Sequence, residues 1–312
     1  MRNFLRGTTF LAILACWLWS TAFVGVKIGL QYQTPLQFAG IRFFISGVLI
    51  FIYFGKPALF FSELKKHRKF VLLLAVVQIF TQYALFYSGL NLVPGALGAM
   101  IIGSSPLFIA LVSHFAFHND KMTPLKTGSF LFGVAGIAII TLGRTKVEMK
   151  GELELLGIGL LILNNIISGY SNVMVSKYSK RISPVVLSSA SLSIGGLLLF
   201  LVSVPVEGTL RGPFSPTYFY ALAWLSFLSA AAITIWNTLL QRPGVKVSLL
   251  NMWKFLIPVS GAILSWMILT DENPDLFSVL GMGFITLALI ALNYSNQRHT
   301  KKKTGLLNKK PA

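Results

Sequence analysis

Apolar runs of about 18–25 residues, each closed by charges, Pro or Gly, recur along this chain, and each is long enough to carry a helix across the ~30 Å hydrocarbon core of a bilayer. Residues 70–119 show the pattern most plainly. They contain no Asp, Glu, Lys or Arg, which leaves room for two crossings joined by a short turn. The turn is legible as Asn91-Leu92-Val93-Pro94-Gly95: Pro94 suits the first turn of a helix, so one span ends near Leu90 and the next begins at Pro94. Pro106 then falls in mid-span, where a membrane helix tolerates it if neighbours satisfy the freed carbonyl. Ser104 and Ser105 are candidates for that task.

Read in this way the sequence predicts ten spans, at residues 8–30, 36–54, 70–90, 94–117, 125–142, 153–177, 184–204, 216–240, 247–269 and 276–295. The expected fold is an all-α polytopic membrane protein with ten transmembrane helices. The run from Thr8 to Val26 follows Arg2 and Arg6 as in a signal peptide, but it is long for one and lacks a small-x-small cleavage site before Lys27. It reads as a retained first span. Residues 296–312, with Arg298, Lys301, Lys302, Lys303, Lys309 and Lys310, read as a basic, solvated and disordered cytoplasmic tail.

Composition agrees: 54% of residues are hydrophobic and 12% charged, against roughly 25% charged in a soluble domain. The net charge of +18 does not point to nucleic acid, because the bases sit in short loops and the tail rather than among aromatics on a soluble face. They fit cytoplasmic loops that meet anionic lipid. Of the 27 Lys and Arg residues, Lys27, Arg42 and Lys254 fall within spans, and only Arg144, Lys146, Lys150 and Arg211 fall on the side opposite the N-terminus. All others share the N-terminal side, so both termini are expected in the cytoplasm. The single Cys16 lies in a span and carries no redox information.

An internal repeat is detectable. Aligning Pro106 with Pro258 sets Pro94-Gly95 against Lys246-Val247 at span starts and Asn119-Asp120 against Asp271-Glu272 just past span ends. Upstream, residues 19–27 (WSTAFVGVK) lie over residues 169–177 (GYSNVMVSK), and each stretch leads to Thr34-Pro35 or Ser183-Pro184. Two five-span halves follow, residues 8–143 and 152–295. Because five is odd, the second half enters the membrane with opposite orientation, an inverted repeat of the kind found in secondary transporters.

The residues that carry this pattern resemble the drug/metabolite transporter superfamily, in the family named for its EamA domains. They are the opening WLWSTAFVGVK, the TPLQFAGIRFFISG of span two, and YSGLNLVPGALGAMIIGSSPLFIAL with an acid after its span. KVSLLNMWKFLIPVSGAIL followed by Asp271-Glu272 is a weaker second copy, which lacks a Pro at its span start. The resemblance implies a ten-helix carrier of small metabolites, often amino acids or organic acids. It works by alternating access, with a central cavity lined by spans one, three, four, six, eight and nine. It also implies export, and a bacterial inner membrane as the location.

The charged residues within spans are the first candidates for chemistry, since an unpaired charge in hydrocarbon costs at least ~2.5–3.5 kcal/mol and so faces a cavity or a partner. Arg42 either snorkels or bonds carbonyls at a helix end, or faces the solute. Lys254 precedes Pro258 by four residues, which frees its carbonyl and marks irregular backbone. Lys27 and its repeat mate Lys177 read as interfacial anchors. No acid lies inside any span, which argues against a buried carboxylate relay for protons and for a carboxylate, zwitterionic or neutral solute.

The remaining candidates are polar or aromatic. Asn165, Ser168 and Asn172 share one face of span six, flanked by Asn164 and Ser171, and serve either as interhelical glue or as cavity lining. Gln78 and Gln82 stack in span three beside Tyr83 and Tyr87. Trp236-Asn237 in span eight, and Trp17 and Trp19 in span one, offer aromatic walls. Pro106 and Pro258 are candidate gating points. Gly25-x-x-x-Gly29 allows another helix to approach closely, and His114 reads as structural rather than as a proton shuttle. No Walker loop and no metal-ligand spacing is present, and Gly169-Tyr170-Ser171-Asn172-Val173 lacks the second glycine of a nucleophile elbow. The expectation is therefore a non-enzymatic carrier, without cofactor, metal or nucleic acid, whose partners are a small solute and the bilayer, and whose oligomeric state, a monomer included, is left open by the sequence. Uptake or exchange of a nucleotide-like or cofactor metabolite, and a non-transporting receptor or scaffold, remain open alternatives.

Overall fold

The computed structural model describes residues 7–116, 121–143, 152–179, 181–209, 212 and 214–307. Among them there are ten helices and no strand. They are α1 (Thr8–Leu30), α2 (Pro35–Phe54), α3 (Pro57–Leu92), α4 (Gly95–Ala116), α5 (Pro124–Gly143), α6 (Glu152–Tyr178), α7 (Pro184–Glu207), α8 (Pro216–Gln241), α9 and α10 (Leu276–Leu307). Helix α9 is built of three pieces, Val247–Asn251, a 3-10 turn Met252–Phe255, and Leu256–Ile268. Eight of the ten are long and apolar enough to cross a membrane, and Pro124–Ile140 and Met252–Ile268 are shorter apolar helices. The outward faces carry Ile52, Tyr53, Leu131, Leu201, Phe227 and Met267 exposed, which suits lipid rather than water. The fold is that of a polytopic membrane protein.

Two boundaries differ from the sequence reading. Residues 55–69 were expected to be a connection, yet α3 begins at Pro57 and is broken only at His67 (φ −114°, ψ 16°). Proline at the first helical position pre-sets the backbone there, and Phe60 buries against Phe51, with ring centroids 4.8 Å apart. The stretch after residue 295, read as disordered, is helical as far as Leu307, since no proline interrupts α10. Arg2, Arg6, Asn119, Asp120, Arg144, Lys146, Lys150, Lys180, Arg211, Lys309 and Lys310, invoked in the repeat or the charge asymmetry, lie outside the described residues.

Helices have no hydrophobic reason to associate in lipid, so close backbone packing through small residues decides which ones pair. Helix α2 lies along α7: a Cβ on Gly40 would stand 2.6 Å from the Phe200 nitrogen, and one on Gly196 2.4 Å from that of Phe44. Helix α5 pairs with α10 in the same manner, Gly136 and Gly281 each lying against the other's carbonyl. Helix α1 packs on α8, where Gly25 meets Leu225, and α3 packs on α6, where Gly89 meets Leu161. Helices α4 and α9 cross where Gly103 faces the Pro258 ring and Gly261 faces Ala99. Of the span-one glycines, Gly29 accommodates Phe38 of α2, so Gly25-x-x-x-Gly29 admits two different neighbours.

Carboxylates tie helix starts to other helices. Glu207, ending α7, accepts the amides of Leu36 (2.9 Å) and Gln37 (3.1 Å) at the start of α2. Glu272, just past α9, accepts those of Gly95 (2.5 Å) and Ala96 (2.8 Å) at the start of α4. Glu63 accepts the Ser183 amide (2.9 Å) next to α7. First-turn amides have no partner within their own helix and carry the positive end of its dipole, so a carboxylate suits them.

A Cβ at residue 103 would lie 2.2 Å from Pro258 Cδ and 2.6 Å from the Pro258 nitrogen, whereas one at Gly128 meets nothing within 4 Å. Gly103→Val is expected to destabilise the detergent-solubilised protein by about 1–3 kcal/mol, and Gly128→Ala to leave it unchanged, as read by thermal unfolding.

Candidate functional site

The centre of the molecule is built around two interrupted helices. Helix α4 consists of Gly95–Gly103 and Ser105–Ala116 with Ser104 between them, just ahead of Pro106. At this break the Ile101 carbonyl accepts the Ser104 amide (3.2 Å), the Ser104 hydroxyl (2.6 Å) and the Asn165 side-chain amide of α6 (2.7 Å). In α9 the 3-10 turn Met252–Phe255 stands just before Pro258, where proline deprives the Lys254 carbonyl of its helical partner. Helix α3 is irregular too: residues Ala75–Thr81 form a π-helical segment, and Gly195 of α7 lets it approach, since a Cβ there would lie 2.4 Å from Ile79 Cβ.

These irregular segments enclose a cavity with about 80 Å³ available to the centre of a water molecule. It shares Trp19, Gln82, Tyr83, Ser168 and Lys254 with a neighbouring chamber of about 40 Å³. All the side chains expected to meet solute line one chamber or both. Arg42 and Asn165 line the larger, while Gln78, Asn172, Trp236 and Asn237 line the smaller. Helix α2 contributes to the lining through Arg42, although the resemblance implied only spans one, three, four, six, eight and nine. Trp17, by contrast, is 53% exposed on the outer surface. Pro106 and Pro258 are buried beside the breaks in α4 and α9.

Two cations stand on the cavity wall. Arg42 donates through Nε to Ser229 Oγ (2.9 Å) and the Leu225 carbonyl (3.2 Å), through Nη2 to Ser229 Oγ (2.6 Å), and through Nη1 to the Tyr87 hydroxyl (2.5 Å). Its guanidinium also lies over the Phe43 ring, 4.8 Å from the centroid. The carbonyl it bonds, that of Leu225, lies in mid-helix rather than at a helix end, and the side chain lines the cavity. Lys254 places Nζ over two indoles, 5.4 Å from the Trp19 centroid and 5.1 Å from that of Trp236. The two rings touch edge to face at 4.9 Å. Among the described residues neither cation meets a carboxylate.

An amide network holds the Trp236 indole. Trp236 Nε1 donates to Asn172 Oδ1 (2.8 Å), which also receives Asn251 Nδ2 (3.3 Å), while Asn172 Nδ2 donates to the Ser168 carbonyl (2.6 Å). Ser171 donates to Gln82 Oε1 (3.2 Å), and Asn237 to the Ser188 hydroxyl (2.9 Å). The polar face of α6 thus acts as both glue and lining. Buried oxygens of Gln78, Asn164, Asn165, Asn237 and Ser105 have no hydrogen-bond partner in the protein. Side-chain oxygens left unpaired on a cavity wall are acceptors for a ligand's donors or for water. Ser229 and Asn251 were not expected: a serine in a small-residue run and an amide one turn from a span start carry no signal of their own. The π segment has no sequence signature either.

Other residues fall outside the site. His114 accepts the Met122 amide on Nδ1 (2.9 Å), a structural role. Lys177 is exposed at its helix end and donates to the Ala116 carbonyl, as an interfacial anchor does. Lys27 is half-buried near the end of α1.

Residues 7–142 and 155–294 both match the EamA-like transporter family. The chain belongs to this family. It is 26% identical to a probable amino-acid metabolite efflux pump of Escherichia coli (strain K12), over 90% of this chain and 91% of that one. An uncharacterized transporter of Bacillus subtilis (strain 168), YvbV, is 25% identical over 94% of this chain and 93% of its own. One solved crystal structure superposes with a TM-score of 0.70 over 93% of this chain and 98% of its own, at 19% identity, which shows the fold. The protein is thus an EamA membrane transporter, and its cavity is the candidate solute site.

In this EamA transporter, Tyr87→Phe removes an acceptor from the buried Arg42 guanidinium, whereas Tyr83 has no comparable bond among the described residues. Tyr87→Phe is expected to cost about 1.5–3 kcal/mol of stability and Tyr83→Phe less than about 1, compared by chemical unfolding in one detergent.

Proposed function

We propose that the protein is a secondary carrier, not driven by ATP, which exports an amino acid or organic acid by alternating access. The observation that carries this reading is the pairing of Arg42 and Lys254 on one cavity wall, with no carboxylate against either among the described residues. Such a wall favours a solute carboxylate. Asn164 and Asn165 line the same cavity, and their side-chain oxygens, buried and unpaired, are the acceptors proposed for the ammonium or hydroxyl donors of that solute. The proposed binding set is Trp19, Arg42, Gln78, Gln82, Tyr83, Asn165, Ser168, Asn172, Trp236, Asn237 and Lys254. The cavity's small volume favours a compact metabolite over a nucleotide. The name of the Escherichia coli relative supports the amino-acid class.

Alternation is attributed to two inverted halves, 8–143 and 152–295, in a ten-span arrangement. The helix pairings support it. If each helix is exchanged for the one five later, α1 on α8 becomes α6 on α3, while α2–α7, α4–α9 and α5–α10 map onto themselves. The two separate family matches agree with this division. Both termini are assigned to the cytoplasm of a bacterial cell and the protein to its inner membrane, on the distribution of Lys and Arg. Pro106 and Pro258 are the proposed hinges, since interrupted helices at a cavity free backbone groups that can exchange partners. Glu272, clamping α4 to α9 at the end away from the basic loops, is the proposed latch between them.

Counterflow in proteoliposomes tests the solute class. Labelled carboxylates or zwitterions should exchange independently of a pH gradient, with flux at least tenfold lower in Lys254→Ala and Arg42→Ala proteins that retain their fold. Flux of cations alone, flux driven by protons, or no flux for any solute would overturn the reading. For the latch, Val93 is a buried reporter beside the clamp. In a Cys16→Ser background, Val93→Cys should react several-fold faster with a membrane-impermeant maleimide once Glu272→Ala is added. An unchanged rate removes Glu272 from the gate.

A further inference from the structure

The break at His67 isolates residues 57–66 as a short helix of their own, ahead of the membrane-crossing part of α3. Its inward face is anchored: Phe60 is 5% exposed, Leu64 packs on the core, and Glu63 accepts the Ser183 amide. The segment's acid is therefore engaged with α7. Its outward surface is mixed in a particular way, with Leu59 48% and Phe61 58% exposed beside the exposed bases Lys56, Lys65 and Lys66. Arg68 and Lys69 continue the basic cluster just past the kink and are exposed as well.

These five bases differ from others at the same end of the bundle. Lys121 donates to the His114 carbonyl, Lys177 to that of Ala116, and Arg242 to the Thr8 hydroxyl. Lys56, Lys65, Lys66, Arg68 and Lys69 have no hydrogen-bond or ion-pair partner among the described residues. Large apolar side chains flanked by unpartnered bases on a short helix make an interfacial surface, where the apolar groups enter the acyl boundary and the bases meet headgroup charge.

We infer that residues 56–69 form a binding site for the phosphate-bearing headgroups of anionic lipid, at the point where α3 enters the membrane. The occupant is lipid rather than a soluble anion, because Leu59 and Phe61 stand exposed on the same segment as the bases. The site has a direct mechanical line to the cavity: beyond the kink, α3 passes through its π segment and supplies Gln78, Gln82 and Tyr83 to the lining. Headgroups that hold the kinked helix in the interface fix the height and rotation of those side chains. The further step from lipid occupancy to transport rate rests on the carrier reading above, whereas the binding step does not.

Native mass spectrometry of the intact protein in detergent, titrated with phosphatidylglycerol or phosphatidylcholine, reads binding without any solute. Wild type should bind phosphatidylglycerol at least tenfold more tightly. Each of Lys65→Gln, Lys66→Gln, Arg68→Gln and Lys69→Gln should weaken it by up to about fivefold, and the four together should abolish the preference. Lys301→Gln, Lys302→Gln and Lys303→Gln, combined in one variant, should retain it. Thermal unfolding in detergent checks that each variant is folded, and single variants serve if the quadruple one is not. No preference in wild type, a preference that survives in the folded variants, or a preference lost only in the tail variant would overturn the site. Competition by millimolar inorganic phosphate as effective as that of the lipid would reassign it to a soluble anion and overturn the proposal equally.

Discussion

The contact on which the architecture depends is the crossing of α4 and α9, where Gly103 lies flat against the Pro258 ring. Both helices are interrupted within a turn of this point, and interruption leaves backbone carbonyls without their helical donors. In hydrocarbon such groups must find partners inside the protein or in a wet cavity. The structure uses both solutions at once. Ile101 receives a serine hydroxyl and an asparagine amide from a third helix, and the space beside the breaks is a cavity whose wall includes Arg42, Gln82, Asn164, Asn165 and Lys254. A side chain at residue 103 would part the two helices, and the chamber would lose its common wall.

Around that crossing, polar groups are arranged by what each can donate. Arg42 spends its donors on Ser229, Leu225 and Tyr87, so its charge is held in place by neutral acceptors and its sign stays uncompensated. Lys254 is held by ring faces instead. Asn172 fixes one of those rings by accepting from Trp236, and Asn251 donates to the same oxygen. The wall is therefore a pattern of positive charge and amide oxygens, with no carboxylate against either cation among the described residues. Acids do their work elsewhere, as acceptors for the first-turn amides of α2 and α4.

Much of this was legible beforehand, for reasons that can be stated residue by residue. Lys254 four residues ahead of Pro258 marks irregular backbone because proline chemistry is local, and the 3-10 turn is where that argument puts it. Asn165, Ser168 and Asn172 face inward because helical spacing alone aligns them and buried amides avoid lipid. What sequence could not show depends on distant partners. Ser229 matters only because Arg42 of another helix reaches it, and Glu272 only because the start of α4 stands beneath it. The π segment of α3 and the helix ahead of His67 arise from packing against α7 and α2, which no local pattern announces. The basic run after residue 295 misled in the other direction, since charge was read as disorder where helix propensity prevailed.

On the carrier reading proposed above, the indole pair around Lys254 sets a limit on how tightly the chamber can hold an anionic cargo. An ammonium already attracted to two ring faces has part of its hydration replaced before anything binds, so an incoming anion gains only the difference between that state and the new one. The same holds for Arg42, whose neutral acceptors are in place beforehand. A shallow well of this kind shortens residence time, and for a protein that must let go of what it catches on every cycle, rapid release is worth more than affinity.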